Sequence, residues 1–238
     1  MGGVFPLVIN GEFTPHIFSL ILAQLNSRRE LLNARQVSKI WKDFIDHETK
    51  IWDDYQIQCR AAIEGRVDIY ELIIQYARSK NGESQLGNNN RTVRTPLHEA
   101  AKCGRLRICQ LIIENIHDKN PVGVYGWTPL HLASEAGHLE VCQLILENVT
   151  VKNPPSQNGE TPLHLAASKG HVNICQLIID GVEEDKRNPP DVDGWTPLHC
   201  AAELGHLEVC RLIVGRVTDK HPVNAKGREI ARGVGDFV

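Results

Sequence analysis

"TPLHLASEAGHLEVCQLIL", residues 128–146, is one of four versions of the same sentence in this chain. The others are "TPLHEAAKCGRLRICQLII" from Thr95, "TPLHLAASKGHVNICQLII" from Thr161 and "TPLHCAAELGHLEVCRLIV" from Thr196, at intervals of 33, 33 and 35 residues. A period of that length means stacked supersecondary units, and it governs every local reading. Thr before Pro is a helix N-cap followed by proline at the first helical position, where its missing N–H costs nothing. Leu and Ala then line one face of a short helix. Gly104, Gly137, Gly170 and Gly205 stand where that helix must end in a left-handed residue. A second amphipathic helix follows, with Leu139, Val141, Cys142, Leu144 and Ile145 on its apolar face in the quoted unit. Pro121, Pro154, Pro189 and Pro222 each lie five residues before Gly126, Gly159, Gly194 and Gly227. Such a stretch reads as an extended finger closed by a tight turn. The two extra residues of the third interval fall within "DGVEEDKRNPP", a surface loop in which insertions are tolerated.

These four units resemble ankyrin repeats, and the T-P-L-H-x-A match is specific. The resemblance implies an all-α-dominated ankyrin solenoid, of helix-turn-helix units with β-hairpin fingers. In that family the motif histidine helps to hydrogen-bond one finger to the next, a structural role expected for Thr95 and His98, Thr128 and His131, Thr161 and His164, and Thr196 and His199. The array extends beyond the motif on both sides. "AAIEGRVDIYELII", residues 61–74, matches the same template with Tyr70 in the cysteine position, so a degenerate first repeat is expected at about 57–90. An Asn-rich loop, "SKNGESQLGNNNRTVR", links it to repeats at about 91–120, 121–153, 154–188 and 189–221. A truncated last unit, 222–238, completes a finger but lacks the apolar second helix, and fraying is expected there.

Residues 13–55 do not obey the period and follow a 12-residue tail. Phe18, Ile21, Leu22 and Leu25 share one helical face after Thr14–Pro15. "LLNARQVSKIWKDFID", residues 31–46, builds a second pattern, and Trp52 follows. A helical unit of about forty residues is marginal alone and needs something to dock on. Its paired leucines, Arg35, Val37-Ser38-Lys39, Trp41 and second Trp resemble an F-box, although Thr14 stands where that family usually has leucine. In the family this three-helix unit packs on the Skp-type adaptor of cullin-RING ubiquitin ligases. The resemblance implies that Pro15, Leu31, Leu32, Val37, Trp41 and Trp52 carry its fold or the adaptor contact, by an amphipathic helix laid into an apolar groove. The alternative is a helical hairpin that only caps the first repeat.

Composition narrows the function classes. A formal charge of −3 without basic tracts gives no electrostatic support for binding nucleic acid or a membrane surface. The opening "MGGVFPLVINGEF" has no basic n-region and too short an apolar run for a signal peptide, and Pro6 stands where a myristoylation site needs Ser or Thr. A cytoplasmic or nuclear protein is expected. Of seven cysteines, Cys109, Cys142, Cys175 and Cys210 recur at one apolar position, which reads as buried reduced thiols and not as disulfides or a zinc site. Seven of eleven histidines are accounted for by repetition, with His138, His171 and His206 following the helix-ending glycines. No nucleotide, metalloprotease or nucleophile-elbow motif occurs, so no enzyme, cofactor or metal is expected.

Binding residues follow from geometry: a solenoid presents its finger tips and inner helices along one concave face. The position before each motif varies as Arg94, Trp127, Glu160 and Trp195. Trp127 and Trp195, with Tyr125 nearby, are the natural aromatic anchors, unless the indoles pack along their own fingers. Lys102, Glu135, Lys169 and Glu203 would form a polar rim. The expected function is that of a monomeric protein-binding subunit, which recruits a target protein to a Skp-type adaptor and cullin ubiquitin ligase. The alternative is a non-enzymatic scaffold or inhibitor.

Overall fold

A computed structural model describes residues 55–79, 94–219 and 222–223. Pro15, Leu31, Leu32, Val37, Trp41 and Trp52 of the expected adaptor-binding segment lie outside the described residues, as does most of the last unit.

Among the described residues ten α-helices alternate between two layers. The inner helices are α1 (Tyr55–Glu64), α3 (Pro96–Lys102), α5 (Pro129–Ala136), α7 (Pro162–Ser168) and α9 (Pro197–Glu203). The outer helices are α2 (Val67–Ser79), α4 (Leu106–Asn115), α6 (Leu139–Asn148), α8 (Val172–Asp180) and α10 (Leu207–Val214). Each helix packs on its partner in the repeat and on its counterparts in the neighbouring repeats. As far as it is described, the degenerate first unit therefore packs as a member of the stack through α1 and α2.

Four of the five inner helices start at the Thr-Pro step, as the sequence says they must. Thr95, Thr128, Thr161 and Thr196 have extended φ/ψ, and the following proline opens the helix. Gly104, Gly137, Gly170 and Gly205 are all left-handed, with φ between +66 and +82. The helices are too short to persist alone and owe their stability to burial. Leu97, Leu130, Leu163 and Leu198 sit beneath the inner layer, and Ile108, Ile112, Ile145, Ile178 and Ile213 fill the outer one, all buried. Truncating one such side chain to alanine would cost about 2–5 kcal/mol. Cys109, Cys142, Cys175 and Cys210 are free and fully buried between the layers. Burial pushes the Cys109 and Cys175 thiols up to about 12, so these sulfurs are packing atoms and not nucleophiles.

The expected β-hairpin fingers are corrected in one respect. No β-strand element occurs among the described residues. Each finger is a tip alone. Ser156 N–H donates to the Glu160 carbonyl at 2.7 Å and Gly159 N–H to the Ser156 carbonyl at 3.0 Å; Asp191, Gly194 and Trp195 repeat the arrangement. A turn with a left-handed glycine closes the hairpin within five residues and leaves no ladder to extend. Neighbouring fingers are joined by one backbone bond each, Gln157 N–H to the Tyr125 carbonyl and Val192 N–H to the Asn158 carbonyl, both at 3.0 Å.

Candidate functional site

Three of the four motif histidines join an inner helix to the next finger, and all four cap their own helix. In the first motif Nδ1 of His98 accepts the Thr95 backbone N–H at 3.0 Å and lies 2.8 Å from its hydroxyl. The same pair recurs between Thr128 and His131, Thr161 and His164, and Thr196 and His199. With Nδ1 accepting, the proton belongs on Nε2. There it faces the next finger: the carbonyl of Trp127 for His98, of Glu160 for His131 and of Trp195 for His164, at 3.0, 3.1 and 3.0 Å. A carbonyl can only accept, so both partners select the neutral Nε2–H tautomer. Burial depresses the affinity of these rings for a second proton. His98 and His131 fall from 6.5 to about 4, and His164 is lowered in the same direction. Among the described residues Nε2 of His199 has no partner.

A second histidine series runs the opposite way. Nε2 of His138, His171 and His206 reaches back to the carbonyls of Lys102, Glu135 and Ser168, at 3.0, 3.3 and 3.0 Å. Each ring lies on the left-handed glycine of the preceding repeat, so close that a Cβ there would stand 2.6–2.7 Å from it. Arg105 takes this place at the first joint, donating to the Ile63 carbonyl.

Sequence reading missed a third series. The Oδ1 of Asn120, Asn153 and Asn188 accepts the backbone N–H of Leu130, Leu163 and Leu198, ten residues ahead, at 3.2, 3.1 and 3.0 Å. These asparagines satisfy inner-helix donors that have no partner within the helix. Their signal was the Asn-Pro dipeptide recurring at 33 and 35 residues.

On this frame the variable side chains are placed. Trp127 and Trp195 are half-buried, and their rings lie 6.0 and 5.8 Å from those of His131 and His199. Trp127 therefore stacks on the histidine of its own inner helix, and Trp195 lies tilted against the equivalent ring. Tyr125 is the extreme case at the tips: it is 71% exposed and left-handed, with φ 57. Ser156 and Asp191 stabilise the other two tips by accepting the N–H two residues on, at 3.2 and 2.9 Å. Gly123 holds that place in the first tip and can offer no such bond. A Cβ at Gly123 would also stand 2.7 Å from Nε2 of His98. The closing backbone bonds recur here, Gly123 N–H to the Trp127 carbonyl at 2.7 Å and Gly126 N–H to the Gly123 carbonyl at 3.1 Å, but Tyr125 stands in a left-handed conformation costing about 1–2 kcal/mol.

Arg94 lies 3.9 Å from Glu99. Glu135 and Glu160 are half-buried, and burial, then the carboxylates of Asp191 and Glu135, holds the Glu160 carboxyl above its ordinary range. Glu203 and Lys169 are exposed. Lys169 lies one position beyond the register of Lys102, Glu135 and Glu203, where Ser168 stands instead. The expected rim is therefore staggered at the third repeat. A cleft of about 580 Å³ lies elsewhere, between the fourth finger and residues 217–223, and no predicted target-binding residue lines it. Among the described residues no cluster of three or more His, Cys, Asp or Glu could hold a metal, and no helix is long and apolar enough to cross a membrane.

A family model of ankyrin repeats, in three copies, matches residues 59–154 and 145–224. No F-box model matches the front segment. No curated protein matches the chain.

Proposed function

The chain belongs to the ankyrin-repeat family, whose arrays serve as protein–protein interaction modules, and from that premise we propose that its concave face recruits a target protein to a ubiquitin ligase. The observation that carries the recruiting role is the division of labour on that face. His98, His131 and His164 are buried and committed to joining repeats. Arg94, Trp127, Glu160 and Trp195 sit at the equivalent position before each motif, vary along the array and retain accessible surface, and exposed Tyr125 lies two residues before Trp127. A fixed frame with variable aromatic anchors suits recognition. Lys102, Glu135, Lys169 and Glu203 add a charged rim. The reading is non-enzymatic: the ligase partners do the chemistry, and the array raises the local concentration of the target.

The ligase half of the proposal rests on residues 31–46 and Trp52, whose resemblance to an F-box implies a Skp-type adaptor and, through it, a cullin. A cytoplasmic or nuclear setting agrees with five free buried thiols, since such compartments keep cysteines reduced. Binding of purified adaptor to the full-length protein tests it, beside a variant lacking residues 1–52 and the double variant Leu32→Ala/Trp41→Ala. Circular dichroism on each protein reports whether the repeats remain folded. Binding that disappears in both variants while helicity per repeat is retained supports the receptor role. A full-length protein that ignores the adaptor, together with a deletion that unfolds the first repeats, makes the front segment a cap and the protein a scaffold.

A further inference from the structure

We propose that Asn158, at the tip of the third finger, is a self-modifying site that converts by succinimide formation to a mixture of aspartate and isoaspartate. It forms the one Asn–Gly dipeptide among the described residues. Three observations meet there. Asn158 is exposed, and no hydrogen bond of its side-chain amide occurs among the described residues. Gly159 follows with φ +79, and it offers no side chain to hinder approach to its backbone nitrogen. A Cβ on Gly159 would stand 2.9 Å from the Cα of Asp191, so the packing of the fourth finger against the third keeps glycine at this position. The close approach of two fingers thus fixes glycine as the residue that follows Asn158.

The step needs only water. The backbone nitrogen of Gly159 attacks Cγ of Asn158 and gives up its proton. The bond from Cγ to the side-chain nitrogen breaks, and that nitrogen leaves as ammonia with the proton. Water then opens the five-membered ring at either carbonyl, its hydroxyl going to carbon and its hydrogen to nitrogen. Opening at one carbonyl gives aspartate in the normal chain. Opening at the other carries the main chain through the former side chain and lengthens it by one carbon.

Resistance is modest by construction. The Gly159 N–H is held by one turn bond to the Ser156 carbonyl at 3.0 Å, in a tip that no strand continues. Such a tip opens locally without unfolding the array. The folded protein is therefore expected to react at residue 158 within about tenfold of the rate of the denatured chain, the worth of a single net hydrogen bond. The lengthened chain displaces the Asn158 carbonyl, which accepts the Val192 N–H at 3.0 Å as the single backbone bond between the third and fourth fingers. Asp193–Gly194 occupies the same register in the next finger and serves as an internal comparison, because hydrolysis there changes no mass.

The test is timed incubation of the full-length protein in neutral buffer, folded and in denaturant, followed by peptide mapping. The map separates residue 158 from Asn10–Gly11 and Asn81–Gly82. The expected result is amide loss at 158 in the folded sample within about tenfold of the denatured rate. Methylation of the product by an isoaspartyl methyltransferase and faster amide exchange at Val192 should accompany it, and Asn158→Gln should abolish all three. A folded sample whose residue 158 keeps its amide while the denatured chain is fully converted overturns the proposal.

Discussion

Nε2 of His131 lies 3.1 Å from the carbonyl oxygen of Glu160, 29 residues further along the chain. That bond joins the inner helix of one repeat to the finger of the next, while Nδ1 of the same ring caps its own helix. One side chain therefore stabilises a local helix end and a non-local interface together. His131→Ala strands the Thr128 N–H and the Glu160 carbonyl and leaves a ring-sized void. It should lower stability by about 2–4 kcal/mol, read as a reduced midpoint in urea unfolding. Lys102→Ala, an exposed change in the same layer, should move the midpoint little.

Acid should act on the same rings. Burial lowers the folded-state proton affinity of His98 and His131 to about 4, and of His164 in the same direction, against an ordinary value of 6.5. The unfolded chain then binds more protons between those values. Stability from these groups is complete above about pH 6.5 and falls as pH drops toward about 4. Each ring contributes a slope of about 1.4 kcal/mol per pH unit within that window. Urea midpoints measured from pH 7.5 to 4.5 check it, and replacing His131 by a non-titrating residue should flatten the slope.

Two glycines separate backbone strain from packing. Gly137 and Gly205 are left-handed to a similar degree, with φ +82 and +75. A Cβ at Gly137 would stand 2.7 Å from the His171 ring, whereas among the described residues nothing lies within 4 Å of one at Gly205. Gly205→Ala should cost about 1 kcal/mol, from the conformation alone. Gly137→Ala should cost about 2–4 kcal/mol, because the His171 ring must also move off its carbonyl. Thermal unfolding of the two variants tests the difference.

The asparagine series gives a further prediction. Asn188→Ala removes the acceptor for the Leu198 N–H at the start of α9 and should cost about 1 kcal/mol. Amide exchange at Leu198 should accelerate more than at Leu163, whose Asn153 is untouched.

Most of the fold was readable because the physics repeats. Thr128-Pro129 and Gly137 mark both ends of an inner helix, and Cys142 marks the buried stripe of the outer one. The finger was misjudged: an extended Pro-to-Gly stretch implies strands, but the backbone bonds close at Ser156 and Glu160 and leave no room for them. Asn120 was overlooked because its partner, Leu130, lies ten residues away, beyond any local capping rule. The proposed target-binding positions come from variation within a constant frame. What the sequence could not express was that the Trp127 ring would stack on His131, since that depends on how the finger folds back over its own helix.

The central claim is that recognition runs over the variable concave positions while the histidines hold the frame. The most direct test places a photo-crosslinking residue at Trp127, Glu160 or Trp195, and in parallel at exposed Glu147 on the outer helix α6, in the full-length protein within cells that make it. Circular dichroism confirms that each variant is folded, and adducts are identified by mass spectrometry. The account predicts that one shared set of proteins is captured at the three concave positions and not at Glu147. Capture of that set at Glu147 with none at the concave positions would contradict it.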